Sequence, residues 1–329
     1  MDWSQIFIDA TRSAVGVPAA AFALAAIGLN VHYGYTGLLN FGQVGFMLVG
    51  AYGAAITVDQ GGSLWLGVLV GVLAAVMLGL LLGLPTLRLR ADYLAIVTIA
   101  TAEILRLTAR ARSVEPLTNG VFGIQRFAGD FYDLNPINQG LYGWGRLSFS
   151  NRQLWVILVG WGLVALMSLL VAGLARSPWG RVLKAIREDE DAARALGKDV
   201  VSFKLQSLVL GGVIGSFAGM LLAFDQQSVN PDAYTANVTF FAFLIMILGG
   251  AGTSLGPVVG AITFWFTLSF VDSFLRDGIA NELFFSRWID TTDLGAIRFA
   301  LVGLALMLLM AFRPQGMLGD RDEVRLVDR

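Results

Sequence analysis

Between Arg12 and Asp59 the sequence contains no Asp, Glu, Lys or Arg. A hydrocarbon core about 30 Å thick takes roughly 20 apolar residues of helix, so this stretch has the length to cross a bilayer twice. It is not uniformly apolar. Within GLNVHYGYTGLLNFGQVGFMLVGAYGAAI, residues 28–56, stand Asn30, Asn40, Gln43, three tyrosines, the chain's one histidine (His32) and repeated glycines. Any fold must therefore house polar and helix-weakening residues at membrane depth.

The rest of the chain agrees with membrane burial. Of its 329 residues 56% are hydrophobic and 14% charged, against about 25% charged in globular chains. Runs such as LWLGVLVGVLAAVMLGLLLGL are continuous and helix-length, which excludes an outer-membrane barrel built from alternating strands of roughly ten residues. The fold class is all-α: one polytopic helical membrane domain over residues 1–329, with about eight to nine transmembrane helices. Candidate spans fall at 14–33, 37–58, 64–84, 92–110, 153–175, 203–224, 237–252, 256–275 and 294–312, with a broken or re-entrant segment near 34–45. The amino terminus lacks a basic n-region and an A-x-A-like site, so the first hydrophobic helix is expected to direct insertion.

Lys and Arg in short connections set the orientation. Residues 176–202 carry Arg176, Arg181, Lys184, Arg187, Arg194 and Lys198, which places this loop in the cytoplasm. Arg88 and Arg90 place the 85–91 turn there, and Arg313 does the same for the 313–329 tail. The polar, aromatic 111–152 segment and the acidic-leaning 276–293 connection then fall outside. Nine crossings put the amino terminus outside, and the parity closes.

The run REDEDAARALGK reads as a cytoplasmic helix: acidic residues crowd its start, Lys198 ends it and Gly197 suits a C-cap. Val182, Leu183, Ile186, Ala192, Ala193 and Leu196 give it a partly apolar surface, which calls for a membrane surface or a groove on a partner. The bland alternative is a solvated loop that only fixes topology. Zero cysteines exclude disulfides and thiol chemistry, and a single histidine excludes a histidine-rich metal cluster. No GxxxxGK[ST] loop is present; GGAGTSLGP at 249–257 lacks the lysine and reads as a tight helix break.

Residues 191–197, DAARALG, resemble the EAA-x-x-x-G signature of ABC importer permeases, with Asp191 where Glu is usual and without the Leu-Pro continuation. With GYTGLLNFGQVGFMLVGAY, RLRADYLAIVTIATAEILRL, LTNGVFGI, SPWGRVLKAIREDEDAARALG and ILGGAGTSLGPVVGA in this order, the chain resembles the branched-chain amino acid ABC transporter permease family (Liv-type), particularly its longer subunit. The resemblance spans about residues 22 to 316. It implies a prokaryotic cytoplasmic-membrane subunit that binds no cofactor itself, ATP and Mg residing on partners. Those partners are a second permease or a second copy, two cytoplasmic ATP-binding subunits and an external solute-binding protein. It also implies a coupling helix, here Arg187, Glu188, Asp191, Ala192, Ala193, Leu196 and Gly197. Relatives handle urea, amides and other amino acids, so the solute is left open, and nothing points to nucleic acid.

For the pathway, the candidates are Asn30, Tyr33, Thr36, Asn40, Gln43 and Glu103. Broken helices are one way transporters present polar groups to a solute; the competing reading is small-residue packing with Asn and Gln as interhelical partners. Glu103 and Arg106 share a helix face at i,i+3, either as a staple between helices or as part of the path. An ion-coupled transporter working alone would need more carboxylates at depth than Glu103 provides. An intramembrane enzyme would need paired Asp, a His cluster or an activated Ser, and none stands at a suitable spacing.

Overall fold

The computed structural model describes residues 2–87, 91–144, 147–280, 294–313 and 315–319. Arg88 and Arg90, residues 281–293 and most of the 313–329 tail lie outside them.

Glycine at position 16, extended at ψ 171°, with Pro18 in the next turn, divides the first apolar stretch. Before it runs α1 (Trp3–Val15), and after it α2 (Val17–Leu29). The expected first span began at 14; α1 is an additional helix with one buried stripe, Ile6, Ala10 and Ala14. It packs antiparallel to the later helix α13, Trp3 meeting Phe274 and Phe7 meeting Phe270 with ring centroids 6.0 and 5.5 Å apart.

Helix α2 passes without interruption into a π-helical turn, Asn30–Tyr35, and the chain then reverses through residues 36–42 into α3 (Gln43–Asp59). The broken element expected near 34–45 is this π-turn and reversal. Next come α4 (Leu64–Thr86) and α5 (Ala91–Arg110). The 111–150 segment folds as a cap of short pieces: α6 (Glu115–Thr118), β1 (Ile124–Gln125), α7 (Gly129–Asp133), and the hairpin of β2 (Leu141–Trp144) with β3 (Leu147–Ser150). Phe131 of this cap stacks on Phe224, centroids 4.9 Å apart.

A capping box, Ser150 with Gln153, starts α8 (Asn151–Arg176). Then follow α9 (Pro178–Glu188), α10 (Glu190–Ala195) and α11 (Val200–Gln226). The single helix expected over REDEDAARALGK is instead two. Asp189 is extended at φ −153°, and its carboxylate accepts from Ala192 N at 2.9 Å. An N-cap there satisfies a free donor of a new helix and so ends the old one. Gly197, at φ +76°, closes α10, as its sequence position suggested. Beyond α11, β4 (Ser228–Val229) pairs antiparallel with β1, and α12 (Ala236–Gly249), α13 (Gly256–Ala280) and α14 (Leu294–Phe312) are the remaining α-helices among the described residues.

Six helical stretches among the described residues are long and apolar enough to cross a membrane. With α3, α5 and α14 they correspond one by one to the expected spans, and the chain is a multi-pass helical membrane protein. Helix α11 is the axis: α2, α3 and α4 all pack on it. Ser207, Gly211, Gly215 and Gly219 recur every fourth residue along it, forming a smooth ridge that lets backbones approach. A methyl group on Gly211 would strike the Gly28 carbonyl, and one on Gly219 would strike the Met47 carbonyl. Close small-residue contacts replace the hydrophobic driving force that is missing between helices in lipid.

The ridge makes Gly219→Ala costly, about 1–3 kcal/mol from overpacking. Gly162→Ala on α8 points into open space and is expected to be neutral or to stabilise by at most about 1 kcal/mol. Thermal melts of the two detergent-purified variants check the contrast.

Candidate functional site

The π-turn lies inside the bundle. Its neighbour Ser207 stands seven residues into α11, which is about 10 Å from that helix's start at 1.5 Å per residue. Where a helix breaks at such depth, backbone groups without helical partners cost several kcal/mol each unless protein or water satisfies them. Here protein does so. Val31 O accepts from Thr36 Oγ1 at 2.9 Å and from Ser207 Oγ at 3.0 Å. Phe41 N donates to Thr98 Oγ1, Gly42 N to Asn40 Oδ1 and Val44 N to Thr239 Oγ1, at 3.1, 2.9 and 2.9 Å.

A side-chain chain crosses from this loop to α11. His32 Nε2 lies 3.0 Å from Leu208 O, which can only accept, so the ring carries its proton on Nε2. Nδ1 then accepts from Asn40 Nδ2 at 3.0 Å, and Gly42 N fixes the orientation of that amide. The same Asn40 Nδ2 donates to Gln43 Oε1 at 3.3 Å, and Gln43 Nε2 donates to Gly211 O at 3.1 Å. Gly211 and Gly215 leave the space these side chains occupy.

A second clasp joins the π-turn to the break between α12 and α13. Gly250 and Gly252 have φ of +116° and +77°, values only glycine takes readily, and they turn the chain within 250–255. Asn30 Nδ2 donates to Thr253 O at 2.8 Å while Asn30 Oδ1 accepts from Gly252 N at 2.7 Å. Tyr35 OH lies 3.3 Å from Ser254 Oγ.

The structure thus brings Asn30, Thr36, Asn40 and Gln43 together, each at most 2% exposed. Tyr33 stands beside them, its ring edge-on to Phe243. Glu103 lies elsewhere, toward the end of α5. Arg106 bonds Glu103 Oε1 at 2.6 Å and, from a second nitrogen, Asp232 Oδ1 at 2.8 Å in the turn before α12; Arg110 joins the same Asp232 oxygen at 3.1 Å. Asp232 escaped sequence reading because nothing in the chain order places it beside α5.

On the connecting helices, Glu188, Asp191, Ala192, Leu196 and Gly197 are exposed, Leu196 at 80%. Ala193 is buried against Ile186 and Val200. Arg187 turns inward and donates to Gly34 O at 2.6 Å. Ser207, Thr98 and Thr239 were missed; the four-residue spacing from Ser207 to Gly219 was the available signal for the first.

A many-helix membrane bundle with two adjoining helix breaks and polar groups gathered at them is an architecture suited to a membrane transport subunit. The sequence comparisons place it further. Residues 13–310 match the family described as branched-chain amino acid transport system / permease component, and the chain belongs to that family. It is 32% identical over 90% of its length, and 67% of the relative's, to the high-affinity branched-chain amino acid transport system permease protein LivM of Escherichia coli. A probable LivM of Methanocaldococcus jannaschii matches at 25% identity over 91% of each chain. The nucleoside ABC transporter permease protein NupC of Lactococcus lactis matches at 27%, over 69% of this chain and 71% of its own. PsaBC from Streptococcus pneumoniae in complex with Fab aligns with a TM-score of 0.43 at 16% identity, covering 97% and 95%.

Replacing Asn40 with Leu strips partners from His32 Nδ1, Gln43 Oε1 and Gly42 N together. Buried groups left unsatisfied cost about 1–3 kcal/mol each, so Asn40→Leu should lower the unfolding midpoint clearly. Thr101→Val, which removes only a bond within α5 to Val97 O, should move it little under the same melt.

Proposed function

We propose that this chain is one of two membrane subunits of an ATP-driven importer for branched-chain amino acids or a related small polar solute. It pairs with a related permease or a second copy, two cytoplasmic ATP-binding subunits and an external solute-binding protein. The chain resides in the prokaryotic cytoplasmic membrane with α9, α10 and the carboxyl terminus inside. It carries no ATPase site and binds no cofactor; ATP and Mg belong to the partners.

The observation that carries this reading is α10 itself. It is a short helix capped at both ends, held by Lys204 Nζ on Glu190 Oε2 at 2.5 Å, and it presents Leu196 to solvent. An exposed leucine on a fixed, capped helix gives an apolar surface of the kind that fits a groove on a partner. Around it Glu188, Asp191, Ala192 and Gly197 complete the contact surface.

The polar junction supplies the pathway. In this conformation Asn40 bonds Gln43, Gln43 bonds a carbonyl of α11, Thr36 meets Ser207 of α11 and Asn30 clasps the 250–255 turn, closing the route with Tyr33 at its side. Parting α2 and α3 from α11 frees amides and carbonyls of the kind that a zwitterion binds. Glu103, exposed in part beside Arg106, stands at the opposite mouth. The nucleoside permease among the relatives keeps a wider solute class in view, and binding measurements on the cognate external protein decide the solute.

Co-purification tests the assembly. Tagged protein expressed with its neighbouring transport genes should bring down ATP-binding subunits and drive ATP-dependent uptake in proteoliposomes. Leu196→Asp, which would bury an unpaired charge in an apolar contact, should reduce ATPase recovery roughly tenfold (about 1.4 kcal/mol) while leaving membrane yield unchanged. Uptake by the chain alone on an ion gradient overturns the reading.

A further inference from the structure

The exposed α10 surface does not touch the polar junction; the only contacts described from this helix pair to it come from α9. Arg187 stands two residues before the Asp189 cap that starts α10. Its Nη1 donates to Gly34 O, the carbonyl at the end of the π-turn, at 2.6 Å. The same nitrogen lies 3.0 Å from where a methyl on Gly252 would stand, and the Arg187 stem covers Gly37, whose φ is +74°. One turn earlier, Lys184 Nζ sits 5.9 Å from the centre of the Tyr35 ring, whose hydroxyl meets Ser254.

The junction of the two helix breaks is therefore contacted from two sides. Asn30 clasps the π-turn to Gly252 and Thr253 from within the bundle, and Arg187 bonds the π-turn from α9 with its Nη1 packed against Gly252. The remaining guanidinium nitrogens are fixed by Glu188 Oε1, at 3.0 Å from Nε and 2.7 Å from Nη2. Helix α9 is itself anchored by fully buried Leu183 and by Ile186, which packs on Ala193 of α10. A displacement of α10 thus reaches the two breaks through α9.

We propose that Arg187 is the positioning residue that joins the α9–α10 pair to both helix breaks, so that the π-turn and the 250–255 turn move with α9 as one body. This rests on the importer reading for its purpose and on the geometry alone for the link. Docking and transmission are then separate tasks on adjoining residues: Leu196 grips the partner, and Arg187 passes the motion inward. The task requires arginine, because a planar fork can hold Gly34 O and Glu188 together, whereas a lysine ammonium is a point charge on a flexible stem.

Two measurements test it. In the assembled transporter, Arg187→Ala should co-purify with ATPase subunits at wild-type yield yet raise the ATP hydrolysed per solute imported roughly tenfold, a usual size for coupling between sites. Arg187→Lys should fall between. Uptake and hydrolysis dropping in equal proportion, unchanged uptake, or lost co-purification would each overturn the proposal. The second measurement uses the absence of cysteine from the chain. With spin labels at Arg181→Cys and Leu255→Cys, the distance distribution should be the same in nucleotide-free and ATP-trapped complexes. It should broaden when Arg187→Ala is added to the solubilised chain alone. A nucleotide-dependent shift, or no broadening, refutes the link. A wild-type preparation devoid of ATPase refutes the importer reading instead, and the solubilised-chain measurement still judges Arg187.

Discussion

An opened backbone inside a membrane must find its hydrogen bonds within the protein, and most of this structure around residues 28–43 follows from that requirement. The π-turn and reversal release Val31 O, Gly34 O and the amides of Phe41, Gly42 and Val44. Each meets a polar atom from a different direction: Thr36 and Ser207, Arg187, Thr98, Asn40 and Thr239. Four of the polar residues that interrupt the apolar run, His32, Thr36, Asn40 and Gln43, are thereby explained. Asn40 answers a broken backbone locally, and His32 and Gln43 carry the demand on to carbonyls of α11.

Those carbonyls already accept one helical bond each, and a second donor reaches them only if nothing stands between. Gly211 and Gly215 clear that space, and the same ridge of small residues brings α2 and α3 close enough for Thr36 to reach Ser207 at 2.7 Å. Polar satisfaction and close packing are one constraint here. A bulkier α11 would push His32 and Gln43 away and leave the imidazole and the Gln43 amide without their carbonyl partners on that helix.

The fold was largely legible because apolar span length and basic loops are strong signals, and the spans predicted from them match the helices to within a few residues at most ends. The break at 34–45 was legible from its Gly, Asn and Gln content. What the sequence hid lies in relations between distant residues. Nothing near Glu103 announces Asp232, and nothing near Arg187 announces Gly34; each pair is set by how helices fold back on one another. The Asp189 break was also missed, because acidic residues at a helix start suit one long helix as well as a second cap. Of the candidate set, Asn30, Thr36, Asn40 and Gln43 do converge. The burial of Thr36 and Gln43 follows from the α11 ridge, and that of Asn30 from the glycine turn at 250–255, patterns in which the informative residues are mostly the ones without side chains.

A junction of this kind is suited to switching because its bonds are many and individually weak. Side-chain hydrogen bonds between membrane helices average about 0.6 kcal/mol, so opening a half-dozen costs about 4 kcal/mol, equivalent to roughly a thousandfold preference of a ligand or partner for the open form. Hydrophobic burial between the same helices would resist less specifically, since lipid tails satisfy leucine as well as another leucine does. Hydrogen bonds at fixed atoms instead define one closed register, and separating α11 from α2 and α3 exposes the same amides and carbonyls to whatever enters. On the proposed pathway, the groups that hold the junction closed are then the groups a polar solute needs, and that identity would tie the packing of the bundle to transport.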